Sequence, residues 1–289
     1  MTREIPTHRS KPSARSAWAG SPERVAKRAE TELKRLARAG GHVPPVFDAR
    51  RYFRGTPDLG FYNLRTSTLR ALARAIHQAN RDNWSIDEAM RFANLLIVDR
   101  FLETKGVGVE LVARYRRVFS PRLLPIWKRW LANNHSANWA TTDSICGVLI
   151  GPLLEQHPKL LRTTGRWSRA KNLWVRRASA VSLIRLARQG KELAVAYDVA
   201  KSLHADDEDL IQKAVGWLLR EAGKTDPARL ERYLRVNGPA IPRVTVRYAI
   251  ERFPLSTRRE LLAVTKKAGG AGRAGGAGGA GRSQSTIDN

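Results

Sequence analysis

The segment Asn138-Trp139-Ala140-Thr141-Thr142-Asp143 sets an indole and a carboxylate four residues apart in a strongly basic chain. On a helix, positions i and i+4 are separated by only about 40° around the axis, so both side chains would project into one shallow space. A second tryptophan, Trp217, stands in Lys213-Ala214-Val215-Gly216-Trp217-Leu218-Leu219-Arg220-Glu221, and the pair Arg176-Arg177 lies between the two in sequence. Aromatic, acid, arginine, aromatic is therefore the set of groups to be explained. Against any chemical role for Asp143 stands a purely structural one, as the partner of one of the many arginines. Other chemistries are poorly supplied. Cys146 is the single cysteine, which excludes a disulfide framework, a four-cysteine zinc site and a cysteine-held iron–sulfur cluster. His135 and His157 have no ligand partners at useful spacing, so neither a metal nor a cofactor is expected.

The elements that must position these residues read as helices throughout. Ser21-Pro22-Glu23 is a helix start with a capping serine and proline at the first helical position, and Gly40-Gly41 is its stop. Val25, Ala29, Leu33 and Leu36 keep the helical period, as do Leu69, Leu72, Ala73 and Ile76 farther on. Ser85 with Glu88 forms a capping box for a helix running through Phe101 and ended by Gly106. The second half predicts helices near 109–119, 122–132, 139–154, 168–189, 191–203, 209–222, 227–236, 242–252 and 257–266, with Gly223 closing one and a Thr257/Glu260 capping box opening the last. Strand alternation is nowhere sustained. Helix pairs at intervals near the roughly 40–47 residues of HEAT-type repeats predict an all-α, curved superhelical array of HEAT-like helix pairs. Residues 21–267 form that domain, between a disordered basic lead, 1–20, and a disordered Gly/Ala-rich tail, 268–289.

Charge points to a partner. The 289 residues carry a formal net charge of +26, of which residues 1–40 contribute +6 and 266–289 contribute +3, leaving +17 in the body. A body this basic attracts a polyanion, most often nucleic acid. Residues 161–190 hold eight basic and no acidic residues, and 111–136 hold six and none. Solvated helix faces ordinarily intersperse acids for i,i+4 pairing, so their absence predicts phosphate binding. Trp127, Trp130, Trp167 and Trp174 lie among these arginines, with core packing the ordinary fate of such residues and stacking on bases the alternative. No apolar leader or membrane-length window occurs, so a soluble, cytoplasmic, nucleoid-associated monomer is expected.

These residues resemble the DNA alkylation repair glycosylases of the AlkD-like, HEAT-repeat type. The resemblance rests on Asn138-Trp139-x-x-x-Asp143, on Asn172-Leu173-Trp174-Val175-Arg176-Arg177-Ala178 and on Lys213-Ala214-Val215-Gly216-Trp217-x-Leu219-Arg220-Glu221, in the family's order. A weaker match is Tyr52-Phe53-Arg54-Gly55 followed by Leu64-Arg65-Thr66-Ser67-Thr68-Leu69-Arg70, so that about residues 20–265 are covered. It implies excision of cationic N3- or N7-alkylated purines from duplex DNA, with Asp143 the catalytic carboxylate and Trp139 and Trp217 flanking the lesion's deoxyribose. It also implies DNA contacts from Arg176 or Arg177, the latter preferred, and from Arg169, Lys171, Trp174, Lys213 and Arg220. An alkylated purine is already a cationic leaving group, so one carboxylate suffices where most glycoside hydrolases need two. The alternatives are a non-catalytic HEAT protein for damaged or branched DNA and a HEAT scaffold for protein or RNA.

Overall fold

The computed structural model describes residues 17–40, 53, 58–136 and 138–266. The expected disordered lead, apart from its last few residues, and the Gly/Ala-rich tail lie outside these residues, as do Pro44-Pro45, Tyr52 and Arg54-Gly55-Thr56-Pro57. Within them the chain is all-helical, with an isolated bridge between Gly60 and Phe101.

Helix α1 (Pro22–Arg38) begins where Ser21 accepts from the Arg24 amide, and it ends at Ala39 before Gly40 at φ +78°. Its apolar stripe of Val25, Ala29 and Leu33 closes a first core with residues of α2 (Thr66–Asn80), α3 (Ile86–Ile97) and α4 (Leu102–Ala113). The Ser85/Glu88 capping box is formed. Gly106 does not end the helix it was expected to end: α3 stops at Ile97, and Gly106 lies inside α4. Glycine serves close approach here, since a Cβ on Gly108 would meet Ala93 and Leu96 at 3.3–3.5 Å.

From here the helices alternate between two layers. The chain continues through α5 (Leu124–Ala132), α6 (Trp139–Ser144), α7 (Gly151–Gln156), α8 (Leu161–Gly165), α9 (Leu173–Val181), α10 (Ile184–Arg188), α11 (Leu193–Ser202), α12 (Asp209–Thr225), α13 (Pro227–Asn237), α14 (Arg243–Ala249) and α15 (Leu255–Val264). An inner row, α4, α6, α9, α12 and α14, packs each member on the next, while α8 packs on α11 and α13 on α15 in an outer row. One large core lies between the rows and takes in Trp127, Trp130, Trp167 and Trp174, at 0–9% exposure, so these four indoles pack inward.

Three local expectations are corrected. The inner helices α6, α9, α12 and α14 open at 139, 173, 209 and 243, so the period is 34–36 residues rather than 40–47. Gly223 lies within α12, where a Cβ would collide with Leu230 of α13. The last helix starts at Leu255 after Pro254 without a side-chain cap, so Thr257 and Glu260 sit inside it rather than boxing its start.

Candidate functional site

Asn138 is an extended residue whose side chain accepts the Thr141 amide at 2.8 Å, which makes Trp139 the first residue of α6 and sets Asp143 one turn farther along. After Ser144 the helix continues as a π-helical stretch, Ile145–Ile150, before α7 resumes. Asn172 caps α9 in the same manner, accepting from the Trp174 and Val175 amides. In α6, α9, α12 and α14 the fifth residue of the helix is Asp143, Arg177, Lys213 and Arg247 in turn. The repeat thereby carries these four charges into register along the inner row.

Two of them meet. Arg177 Nε donates to Asp143 Oδ1 and Arg177 Nη2 to Oδ2, both at 2.8 Å, and Nη1 donates to the Leu210 carbonyl at the start of α12. The pair ties α6, α9 and α12 together. Its side chains are 7% (Arg177) and 15% (Asp143) exposed, so the carboxylate is the member that solvent reaches. Burial pushes the Asp143 carboxyl above the ordinary aspartate range, while the charge and hydrogen bonds of Arg177 pull it back. Burial works against the Arg177 charge, and Asp143 more than reverses this, so the guanidinium is held even more firmly protonated than usual. A guanidinium cannot discharge in a protein, so its counter-charge must be the Asp143 carboxylate.

Trp139 is half-buried, and its ring stacks on Phe53 with centroids 5.1 Å apart and 13° between planes. Trp217 is half-buried on α12 and packs against the main core. Phe53 was not singled out as a site residue, because nothing in its own segment signals a contact with α6. Cys146 is buried and its thiol pushed up to about 12 by that burial, which suits packing rather than reaction.

The basic residues divide into two sets. Arg176 Nε binds Asp206 at 2.6 Å and its Nη1 donates to the Ala170 and Lys171 carbonyls, so it organises the loop before α9. Arg185 pairs with Glu155 at 2.8 Å and Arg188 with Glu221 at 3.0 Å. With Arg177 on Asp143, four of the eight basic residues of the acid-free stretch are neutralised by carboxylates from elsewhere in the chain, and the inference from missing local acids is corrected to that extent. Arg162, Arg166, Arg169 and Lys171 are exposed and make no ion pair among the described residues. Lys213 pairs with Asp209 at 2.7 Å on the surface, Arg220 with Glu251 and Glu221, and Arg247 is exposed with no ion pair among the described residues.

A hollow of about 580 Å³ lies between α8 and α11, and its lining includes none of Trp139, Asp143, Arg177 or Trp217. Among the described residues no group of three His, Cys, Asp or Glu side chains could hold a metal ion, and no helix is long and apolar enough to cross a membrane.

Comparison with known proteins agrees with this architecture. None of the curated proteins matches the chain. A solved structure described as a predicted DNA alkylation repair enzyme from Enterococcus faecalis shares the fold, with a TM-score of 0.61 and 18% identity over 71% of this chain and 93% of that one. The family model described as DNA alkylation repair enzyme matches residues 47–253, most of the chain and all of the helices that carry the site. The chain therefore belongs to the DNA alkylation repair enzyme family.

Proposed function

We propose that this protein is a DNA glycosylase of the AlkD-like type that hydrolyses the N-glycosidic bond of N3- or N7-alkylated purines in duplex DNA. The observation that carries the reading is the Asp143 carboxylate, 15% exposed, fixed by two hydrogen bonds from Arg177 and set one turn from the Trp139 indole. The alkylated purine leaves as a neutral base when the bond to the sugar breaks, so no general acid is needed. Positive charge develops on the sugar. Asp143 opposes that charge and orients the water that attacks the sugar carbon, the proton of the water passing finally to solvent. A carboxylate offers about four lone-pair sites, so two hydrogen bonds from Arg177 leave acceptor capacity for that water. Trp139 and Trp217 add indole faces beside the cationic sugar, each worth about 0.5–2 kcal/mol, or roughly 2- to 30-fold in rate. Arg169, Lys171 and Lys213 supply phosphate contacts, with Arg176 shaping the loop that presents the first two. Arg220 and Trp174 act in support of the fold around them.

A second reading, a non-catalytic protein for damaged or branched DNA, is favoured by the engagement of both Asp143 oxygens by Arg177. Incubating the protein with methylated duplex and measuring free purine bases separates the two. Release of 3-methyladenine or 7-methylguanine above the spontaneous rate supports the glycosylase; tight binding without release supports the second reading.

A further inference from the structure

Trp139 is the first residue of α6, where no preceding helical turn exists for its ring to lean on. Besides the main core, against which Trp139 packs, support comes from 86 residues earlier in the chain. The Phe53 ring lies nearly parallel on the indole at 5.1 Å and itself rests on Phe61, with centroids 5.2 Å apart and 35° between planes. Phe61 is anchored in turn. The Gly60 amide donates to the Arg100 carbonyl at 2.9 Å, the Leu102 amide donates to the Gly60 carbonyl at 3.0 Å, and the buried Glu103 carboxylate accepts the Tyr62 and Leu64 amides at 3.0 and 3.2 Å. An aromatic column thus runs from the start of α4, through Phe61 and Phe53, to Trp139.

Phe53 is 8% exposed, held between the Phe61 and Trp139 rings. From this geometry we propose that Phe53 is a positioning residue of the candidate site, fixing the plane of the Trp139 indole so that it meets the lesion's sugar without reorganising. A stacked aromatic pair is worth about 2- to 10-fold in an equilibrium or a rate. A ring held in place by stacking loses less freedom on binding than one that must be ordered by the substrate. The inference rests on the reading of Trp139 as a residue that meets the sugar, and it adds a residue from between α1 and α2 to a site otherwise built from α6, α9 and α12.

The test is a double-mutant cycle on the full chain with Phe53→Ala, Trp139→Ala and the combination, read as single-turnover excision from methylated duplex and as duplex affinity, with a thermal melt of each variant. Phe53→Ala is expected to slow excision about 3- to 10-fold in the parent and to have no further effect once Trp139 is alanine. Phe53→Tyr, which keeps a ring, should restore the parental rate, and Phe53→Leu, which keeps apolar bulk, should not. Equal losses from Phe53→Ala in both backgrounds, or full rescue by leucine, overturn the proposal and leave Trp139 in its role. If Trp139→Ala excises at the parental rate, the reading of Trp139 has failed and the inference with it. If the parent releases no base, the same cycle on duplex affinity decides: additivity overturns the positioning role and coupling supports it.

Discussion

Arg177 and Asp143, 34 residues apart, stand at the same register of successive inner helices and share two 2.8 Å hydrogen bonds. The repeat length itself brings them together, and this pair is the junction between fold and proposed chemistry.

Asp143→Asn should therefore have two effects at once. Leaving the Arg177 guanidinium buried without its counter-charge costs about 3–5 kcal/mol of stability, and losing the charge opposite the sugar should slow excision by on the order of 10² or more. The double substitution Asp143→Leu with Arg177→Met separates them. It should recover much of the melting temperature, because an ion pair replaced by apolar side chains is often neutral, while excision stays low. Recovered activity in that variant would show that the carboxylate is structural.

Salt dependence should follow the division between paired and free cations. Arg169→Ala, Lys171→Ala and Arg247→Ala should each reduce the slope of log affinity against log salt by about 0.9, the amount expected for one phosphate contact in duplex DNA, with little change in melting temperature. Arg185→Ala, whose partner is Glu155 at 2.8 Å, should leave the slope unchanged. The reverse pattern would place the duplex on another face.

Arg176→Ala should act through structure. Its guanidinium holds Asp206 and two carbonyls of the loop that carries Arg169 and Lys171, so about 2–3 kcal/mol of stability should be lost. Duplex affinity should fall even though Arg176 itself touches no phosphate.

Gly216→Ala addresses the neighbour of Trp217. A Cβ there would lie 2.8 Å from the Thr245 carbonyl and collide with Tyr248, forcing α12 away from α14 at a cost of about 1–3 kcal/mol. A lowered melting temperature together with slower excision is expected. An unchanged melting temperature would show that α14 yields without strain.

Acid should destabilise the protein through His204. Burial, aided by the charge of Lys201, pushes its imidazole down to about 4, and the ring is hydrogen-bonded to the Tyr233 hydroxyl at 2.8 Å. Because the folded value lies below the unfolded value of about 6.5, the neutral ring's contribution is fully present above pH 6.5 and is lost as pH falls toward 4, by up to about 3 kcal/mol. Thermal melts across that window should show the loss in the parent and a flatter profile in His204→Gln.

Much of this was legible in the sequence because caps and helical spacing are local properties. Ser21, Ser85, Asn138 and Asp226 accept amide hydrogen bonds at helix starts that the sequence places there, whereas Asn172 caps α9 within the stretch 168–189 expected as one helix. Trp139, Asp143 and Trp217 were visible as types at a spacing. The partners of Arg176, Arg177, Arg185 and Arg188 were not, since each lies about 30–34 residues away in the chain, beyond any i,i+4 pattern. Gly106 and Gly223 looked like stops because glycine commonly ends helices; here it makes room for neighbouring helices instead. Phe53 stood in a weaker stretch of family resemblance, but its contact with Trp139 gave no signal, as that depends on what α6 presents to it.

The π-helical stretch Ile145–Ile150 directly after Asp143 gives the site an unusual kind of specification. An α-helix advances about 100° per residue, and one extra residue per turn offsets the face before the stretch from the face after it. The half of the rod bearing Trp139 and Asp143 is thereby aimed independently of the half whose Leu149, Leu153 and Leu154 are fully buried. Shortening the stretch by one residue would leave every side chain of the site present and every core residue suitable, yet turn the carboxylate by about a quarter of a circle relative to the core. The direction of Asp143 is thus written in a count of residues, and a length change of one between Ser144 and Gly151 would disarm the site more surely than most substitutions there.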